Sequence, residues 1–176
     1  DGGDERARRQ SGDSRGEPGQ VALLFPGQGS QNINMLRELA VLFPVVADTL
    51  AEADSLLAAG TERFASKPLS QFIHPRACYD EASRQAASAA LTSTDVAHPW
   101  SMPLDKIDVA QPALGAVEAG LLRLLSELGV SGDMLAGHSY GEFVALFAAG
   151  QIDFATLMSL SEARGRFIVE AAASAG

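Results

Sequence analysis

Residues 133–150, DMLAGHSYGEFVALFAAG, constrain the fold more than any other stretch. A short apolar run (DMLAGHS) reaches a serine set between glycines, and an amphipathic pattern (YGEFVALFAAG) begins at once and stops at Gly150. With no hairpin signal between them, a strand that turns sharply into a helix is a unit of a parallel α/β sheet. VALLF at 21–25 follows the same logic. It is wholly apolar and ends at Pro26-Gly27, as expected of a strand buried on both faces of a parallel sheet.

The rest of the chain fits around these two units. A helical pattern runs from about Met35 to Ala59, and another follows Gln111, where Leu114, Val117, Leu121, Leu124, Leu125 and Leu128 trace one face. Glu118, Arg123 and Glu127 are placed off that face, with Arg123 and Glu127 free to pair at i,i+4 and Gly129 as the stop. Asp153 is positioned to cap a last helix reaching about Ala173. Thr61 to Lys106 reads as irregular and carries several prolines, Trp100 and Cys78. DVAHP at 95–99 recurs as DVAQP at 108–112, a local duplication and not a repeat architecture. Residues 1–20, with mixed charge, Gly and Ser, read as an interdomain linker, leaving 21–176 as the folded part. The fold class expected is α/β, a parallel sheet with flanking helices.

Composition removes several functions. With 176 residues, 47% of them hydrophobic, the chain has one domain's worth of core. A formal net charge of −9 argues against nucleic acid or an anionic membrane as partner. The lone Cys78 leaves no internal disulfide framework, and no apolar run is long enough to span a bilayer, so the expected location is the cytoplasm. The first residue is Asp, so the chain reads as a piece of a longer polypeptide.

Gly137-His138-Ser139-Tyr140-Gly141 is the candidate catalytic centre. Gly-x-Ser-x-Gly alone is a weak signal, and a serine that merely caps a helix fits it too. The context favours a nucleophile: a strand-to-helix turn exposes Ser139, and the helix start aims free N–H groups and a positive dipole end at whatever binds there. FPGQGSQ at 25–31 also follows a strand and also places glycines where backbone N–H groups can face a ligand. No lysine follows, which argues against a nucleotide phosphate loop. Two such loops at the carboxyl ends of parallel strands share one crevice.

LLFPGQGSQ, DVAQPAL, GHSYGEFVALFAAG and LSEARGRFIVEAA together resemble the acyltransferase domains of type I polyketide and fatty acid synthases and the malonyl-CoA:acyl-carrier-protein transacylases. The motifs fall in that family's order from Val21 onward, and the Tyr140 and Arg164 stretches look nearest to iterative synthases of the enediyne and polyunsaturated fatty acid type. The resemblance implies the large subdomain of the acyltransferase fold, incomplete here. It also implies a ping-pong transfer in which Ser139 takes the acyl group, usually malonyl, from coenzyme A and passes it to the phosphopantetheine thiol of an acyl carrier protein. The oxyanion hole would be the N–H groups of Tyr140 and Gln28, with Gln111 beside the site. No bound cofactor is expected. The partners implied are the carrier protein, acyl-CoA and a neighbouring ketosynthase domain.

Arg164 is placed by spacing with Leu157, Leu160, Phe167, Ile168 and Ala171, on an apolar face without a local carboxylate. Burying an unpaired guanidinium is costly, so an anion must come from elsewhere. That anion is a structural carboxylate or, as the resemblance implies, the free carboxylate of a malonyl-type substrate. Arg166 differs, with Glu162 and Glu170 at i−4 and i+4. A general base is harder to find. His138 adjoins the serine, while His74 and His98 each precede a proline. In the family the catalytic histidine lies beyond the last motif seen here, so the chain alone is expected to be a weak acyltransferase at best, and poorly stable. Tyr140, bulky beside the serine, is the only hint of malonyl over methylmalonyl. A simple serine hydrolase and a noncatalytic interdomain segment are the alternatives.

Overall fold

The computed structural model describes residues 19–75 and 106–174. The 1–18 part of the expected linker, Cys78, His98, Trp100 and the first DVA-x-P copy lie outside the described residues.

Two strands, β1 (Ala22–Phe25) and β2 (Met134–Gly137), pair in parallel with Phe25 opposite Gly137. The α/β reading holds. The expectation that β1 is buried on both faces does not: Phe25 is buried while Leu24 is 74% exposed. The helices lie against one side of the strands, so alternate side chains of β1 point to solvent.

The helical pattern of 35–59 is two helices, α1 (Arg37–Leu42) and α2 (Pro44–Gly60). They divide at Phe43, whose extended backbone suits a residue before proline. Pro44 then opens α2 at a position where its missing N–H costs nothing. The stretch read as irregular from Thr61 contains two short helices, α3 (Glu62–Ser66) and α4 (Leu69–Ile73). Their buried Phe64, Leu69 and Ile73 close one end of the core. Each is too short to show a helical period in sequence.

α5 (Ile107–Glu127) begins a turn before Gln111, with Pro112 inside it. Every residue from Val109 to Gly120 is buried, because α5 is the central helix, packed by α2, α4, α6 (Gly141–Ala148) and α7 (Phe154–Ser174). Two expectations fail there. Glu118, placed off the packed face, is buried, and Leu128, placed on it, is 63% exposed beyond the helix end. Arg123 does not pair with Glu127. It reaches α2, bonding Glu52 at 2.7 Å and Thr49 Oγ1 at 3.0 Å, with its guanidinium over the Phe154 ring.

α7 starts as expected, Asp153 Oδ1 accepting the Thr156 N–H at 2.8 Å. Its buried stripe is Phe154, Leu157, Met158, Ser161 and Gly165. Of the face assigned to Arg164, only Leu157 is buried, while Leu160, Phe167, Ile168 and Ala171 are exposed. Ser161 and Gly165 carry no apolar signal, which displaced the reading by part of a turn. Among the described residues, no helix is long and apolar enough to cross a membrane.

Candidate active site

The chain turns from β2 into α6 through His138, Ser139 and Tyr140. Ser139 is exposed and left-handed, with φ 53°, a conformation that costs a non-glycine residue about 1–2 kcal/mol. Close backbone packing imposes it. The His138 N–H bonds the Phe25 carbonyl at 3.0 Å, and the Gly141 N–H bonds back to the His138 carbonyl at 3.0 Å. A Cβ on Gly137 would overlap the Gly141 backbone, and one on Gly141 would overlap the Phe25 carbonyl. Only glycines let strand, turn and helix come this close.

The second glycine loop meets the first. A Cβ on Gly27 would lie 2.5 Å from the His138 carbonyl oxygen and 3.3 Å from Ser139 Cβ, so the Pro26–Gln31 loop flanks the serine directly. That loop is folded on itself, with Ser30 Oγ on the Gly27 carbonyl at 2.8 Å and the Gly29 N–H on Gln31 Oε1 at 2.7 Å. Its continuation is held to the end of α4, where the Asn34 N–H bonds the Ile73 carbonyl and His74 Nε2 lies 3.0 Å from the Met35 carbonyl. The Gln28 and Tyr140 N–H groups have no intrachain acceptor among the described residues. Gln28 directly follows Gly27, which lies against Ser139, and Tyr140 directly follows Ser139, so both free donors are next in sequence to the residues in contact there.

Below the turn lies a polar cluster. Tyr140 is wholly buried and stacks on Phe143, with ring centroids 6.1 Å apart. Its hydroxyl lies 2.6 Å from Ser161 Oγ. Burial raises its pKa, the Ser161 bond lowers it, nearby Glu118 raises it and Arg164 lowers it. Burial also pushes the Glu118 carboxyl up to about 8, and neither of its oxygens has a partner among the described residues. Gln111, one of the residues expected near the site, is fully buried, and neither end of its amide has a partner among the described residues. It sits inside α5.

Arg164 is half-buried, its guanidinium 5.8 Å from the Phe143 ring centroid. It lines a groove of about 550 Å³ with Phe143, Leu160, Phe167 and Ile168, and no carboxylate pairs with it among the described residues. Arg166 pairs with Glu162 at 3.3 Å and Glu170 at 3.2 Å, as its spacing predicts. Tyr140 has no exposed surface. His74 is a loop clasp, and no histidine bonds Ser139 among the described residues. Among those residues, no group of three His, Cys, Asp or Glu is placed to hold a metal.

The geometry is an exposed serine on a strained strand-to-helix turn beside a second glycine loop. A match to the family described as acyl transferase domain runs over residues 22–176. The chain belongs to that family. It is 37% identical over 153 residues to the malonyl CoA-acyl carrier protein transacylase of Escherichia coli K12, covering 86% of this chain and 40% of that enzyme. To the polyketide synthase GfsA of Streptomyces halstedii it is 38% identical over 150 residues, 85% of this chain and 2% of that protein. Among solved structures, the malonyl-transacylase PlMCAT in complex with the type II polyketide synthase acyl-carrier protein AntF is similar. Its TM-score is 0.65 at 33% identity, over 87% of this chain and 40% of the structure's. The chain thus spans about 40% of the length of the transacylases it matches.

Sequence reasoning did not find Gly27 as the contact between the loops, nor Glu118 and Ser161 beneath the turn. Gly27 carried a signal, since it opens the FPGQGSQ motif. The other two carried none that a hydrophobic period detects.

Proposed function

We infer that the chain carries the nucleophile-bearing part of an acyltransferase site that moves an acyl group, malonyl, from coenzyme A to the phosphopantetheine thiol of an acyl carrier protein. The observation that supports this is Ser139, exposed at φ 53° on a strand-to-helix turn against which the Gly27 loop packs, in a chain of the acyl transferase domain family.

Ser139 Oγ attacks the thioester carbonyl carbon and gives its proton to a base supplied from outside the described residues. The carbonyl oxygen becomes an oxyanion that accepts hydrogen bonds from Tyr140 and Gln28, each worth roughly 3 kcal/mol of barrier. The carbon–sulfur bond then breaks, coenzyme A leaves as its thiol with the proton, and an acyl-serine ester remains. The carrier thiol repeats these steps in reverse roles and releases Ser139. Gln111 supports the floor of the site. Arg164 binds the free carboxylate of malonyl, and its place over Phe143, with no carboxylate partner among the described residues, suits that role. The partners that fit are a carrier protein and, given the polyketide synthase relatives, a ketosynthase domain beside this one.

The test compares malonyl-CoA with acetyl-CoA as donors to a holo carrier protein, in the native full-length polypeptide and its Arg164→Ala variant. The variant is expected to lose malonyl transfer by on the order of a hundredfold while acetyl transfer changes only a few fold. Equal losses would make Arg164 structural, and release of malonate to water without carrier loading would make the protein a hydrolase.

A further inference from the structure

A serine held at φ 53° relaxes unless its surroundings prevent it. The glycine contacts restrain the turn on the Ser139 and Gly141 backbone, and a second restraint acts through the next side chain. Tyr140 is entirely buried, and its hydroxyl reaches past α6 to the crossing of α5 and α7. Two short bonds run from it in series: Tyr140 Oη to Ser161 Oγ at 2.6 Å, then Ser161 Oγ to the Leu157 carbonyl at 2.5 Å. A carbonyl only accepts, so the single Ser161 proton goes to Leu157 and Tyr140 donates to Ser161. Room for the hydroxyl exists because residue 115 is glycine. A Cβ there would overlap the Tyr140 oxygen and come within 2.9 Å of Met158 Cε.

We propose that Gly115, Tyr140 and Ser161 form a buried latch that holds the Tyr140 N–H and the Ser139 turn in their reactive geometry, making Tyr140 a positioning residue through its side chain as well as a donor through its backbone. The latch explains why a polar hydroxyl occupies the core directly beneath the turn, and why Ser161 and Gly115 interrupt the apolar stripes of two packed helices. Its catalytic part rests on Ser139 being the nucleophile, while its structural part, the coupling between residues 115 and 140, does not.

The experiment uses Tyr140→Phe, Ser161→Ala, Gly115→Ala and the pairs Tyr140→Phe/Ser161→Ala and Gly115→Ala/Tyr140→Phe in the native full-length polypeptide. Thermal unfolding and malonyl-CoA steady-state kinetics are measured on each. Tyr140→Phe keeps the ring and is expected to lower kcat roughly five- to tenfold with KM within about twofold, as loss of a group that orients without touching substrate. Ser161→Ala should do the same, and the pair should be no worse than either alone, since both break one chain of bonds. Gly115→Ala is expected to lower Tm, with part of the loss recovered when Tyr140→Phe removes the overlapping oxygen. Unchanged kcat in a folded Tyr140→Phe variant, or strictly additive effects for both pairs, would overturn the proposal. If Ser139→Ala keeps full transfer, the nucleophile reading fails and the positioning role with it. The Gly115–Tyr140 coupling in Tm is still decided by the same unfolding curves.

Discussion

Glu118 shows at the scale of one residue how burial sets a titration. Its carboxyl has an ordinary value of 4.5 and is pushed up to about 8 by desolvation, so it is protonated in the folded protein at neutral pH. The unfolded chain holds that carboxyl ionised above about 4.5, so between about pH 4.5 and 8 unfolding releases a proton. Stability from this residue is therefore greatest below pH 4.5 and falls as pH rises, by up to about 1.4 kcal/mol per pH unit, levelling above about 8. Glu118→Gln is expected to flatten that slope and to gain most near pH 8. Urea midpoints for both proteins from pH 5 to 9 would show it, and parallel curves would mean Glu118 is solvated or paired in solution. Nothing in the local sequence marked this residue, because its neighbours on the buried face include Gly115 and Ala119, which add little to any hydrophobic period.

Elements were legible where one short motif fixes both chemistry and geometry. β1 stands within a residue of its apolar run, while β2 ends at Gly137, two residues before the end of DMLAGHS, because the turn into the next helix already begins at His138. The glycines of that turn yield a sharp expectation. Gly141→Ala would drive a Cβ into the Phe25 carbonyl, and the start of α6 and the end of β1 would have to part to accommodate it. The expected cost is about 2–4 kcal/mol, on the order of 10 °C in Tm. Gly60→Ala, with open space around its Cβ, should stay within about 0.5 kcal/mol and serves as the control. Equal Tm values for the two variants would contradict the tight turn. Less legible was anything decided between elements. Arg123 could meet Glu127 one turn away, but α2 brings Glu52 and Thr49 closer, and the longer reach wins. Arg164 has no carboxylate partner among the described residues, as its spacing suggested, yet the apolar face it shares is largely exposed, since Ser161 and Gly165 define the buried stripe of α7.

Among the described residues, these pieces meet at the Ser139 turn. The strands end together, the Gln28 loop lies against the Ser139 turn, and α5 carries Gln111, Gly115 and Glu118 beneath it. That the two glycine loops meet at the carboxyl ends of paired parallel strands follows from topology and was readable from two motifs. The polar floor follows from helix packing and was not. The proposed function turns on Ser139 carrying the acyl group. The most direct measurement is to mix the native full-length polypeptide with malonyl-CoA, quench in acid, and map the adduct by peptide mass before and after adding a holo carrier protein. The expected result is malonyl on the peptide containing Ser139, its disappearance as the carrier is loaded, and no adduct in Ser139→Ala. A malonyl adduct on another peptide, or carrier loading by Ser139→Ala at the wild-type rate, would contradict it.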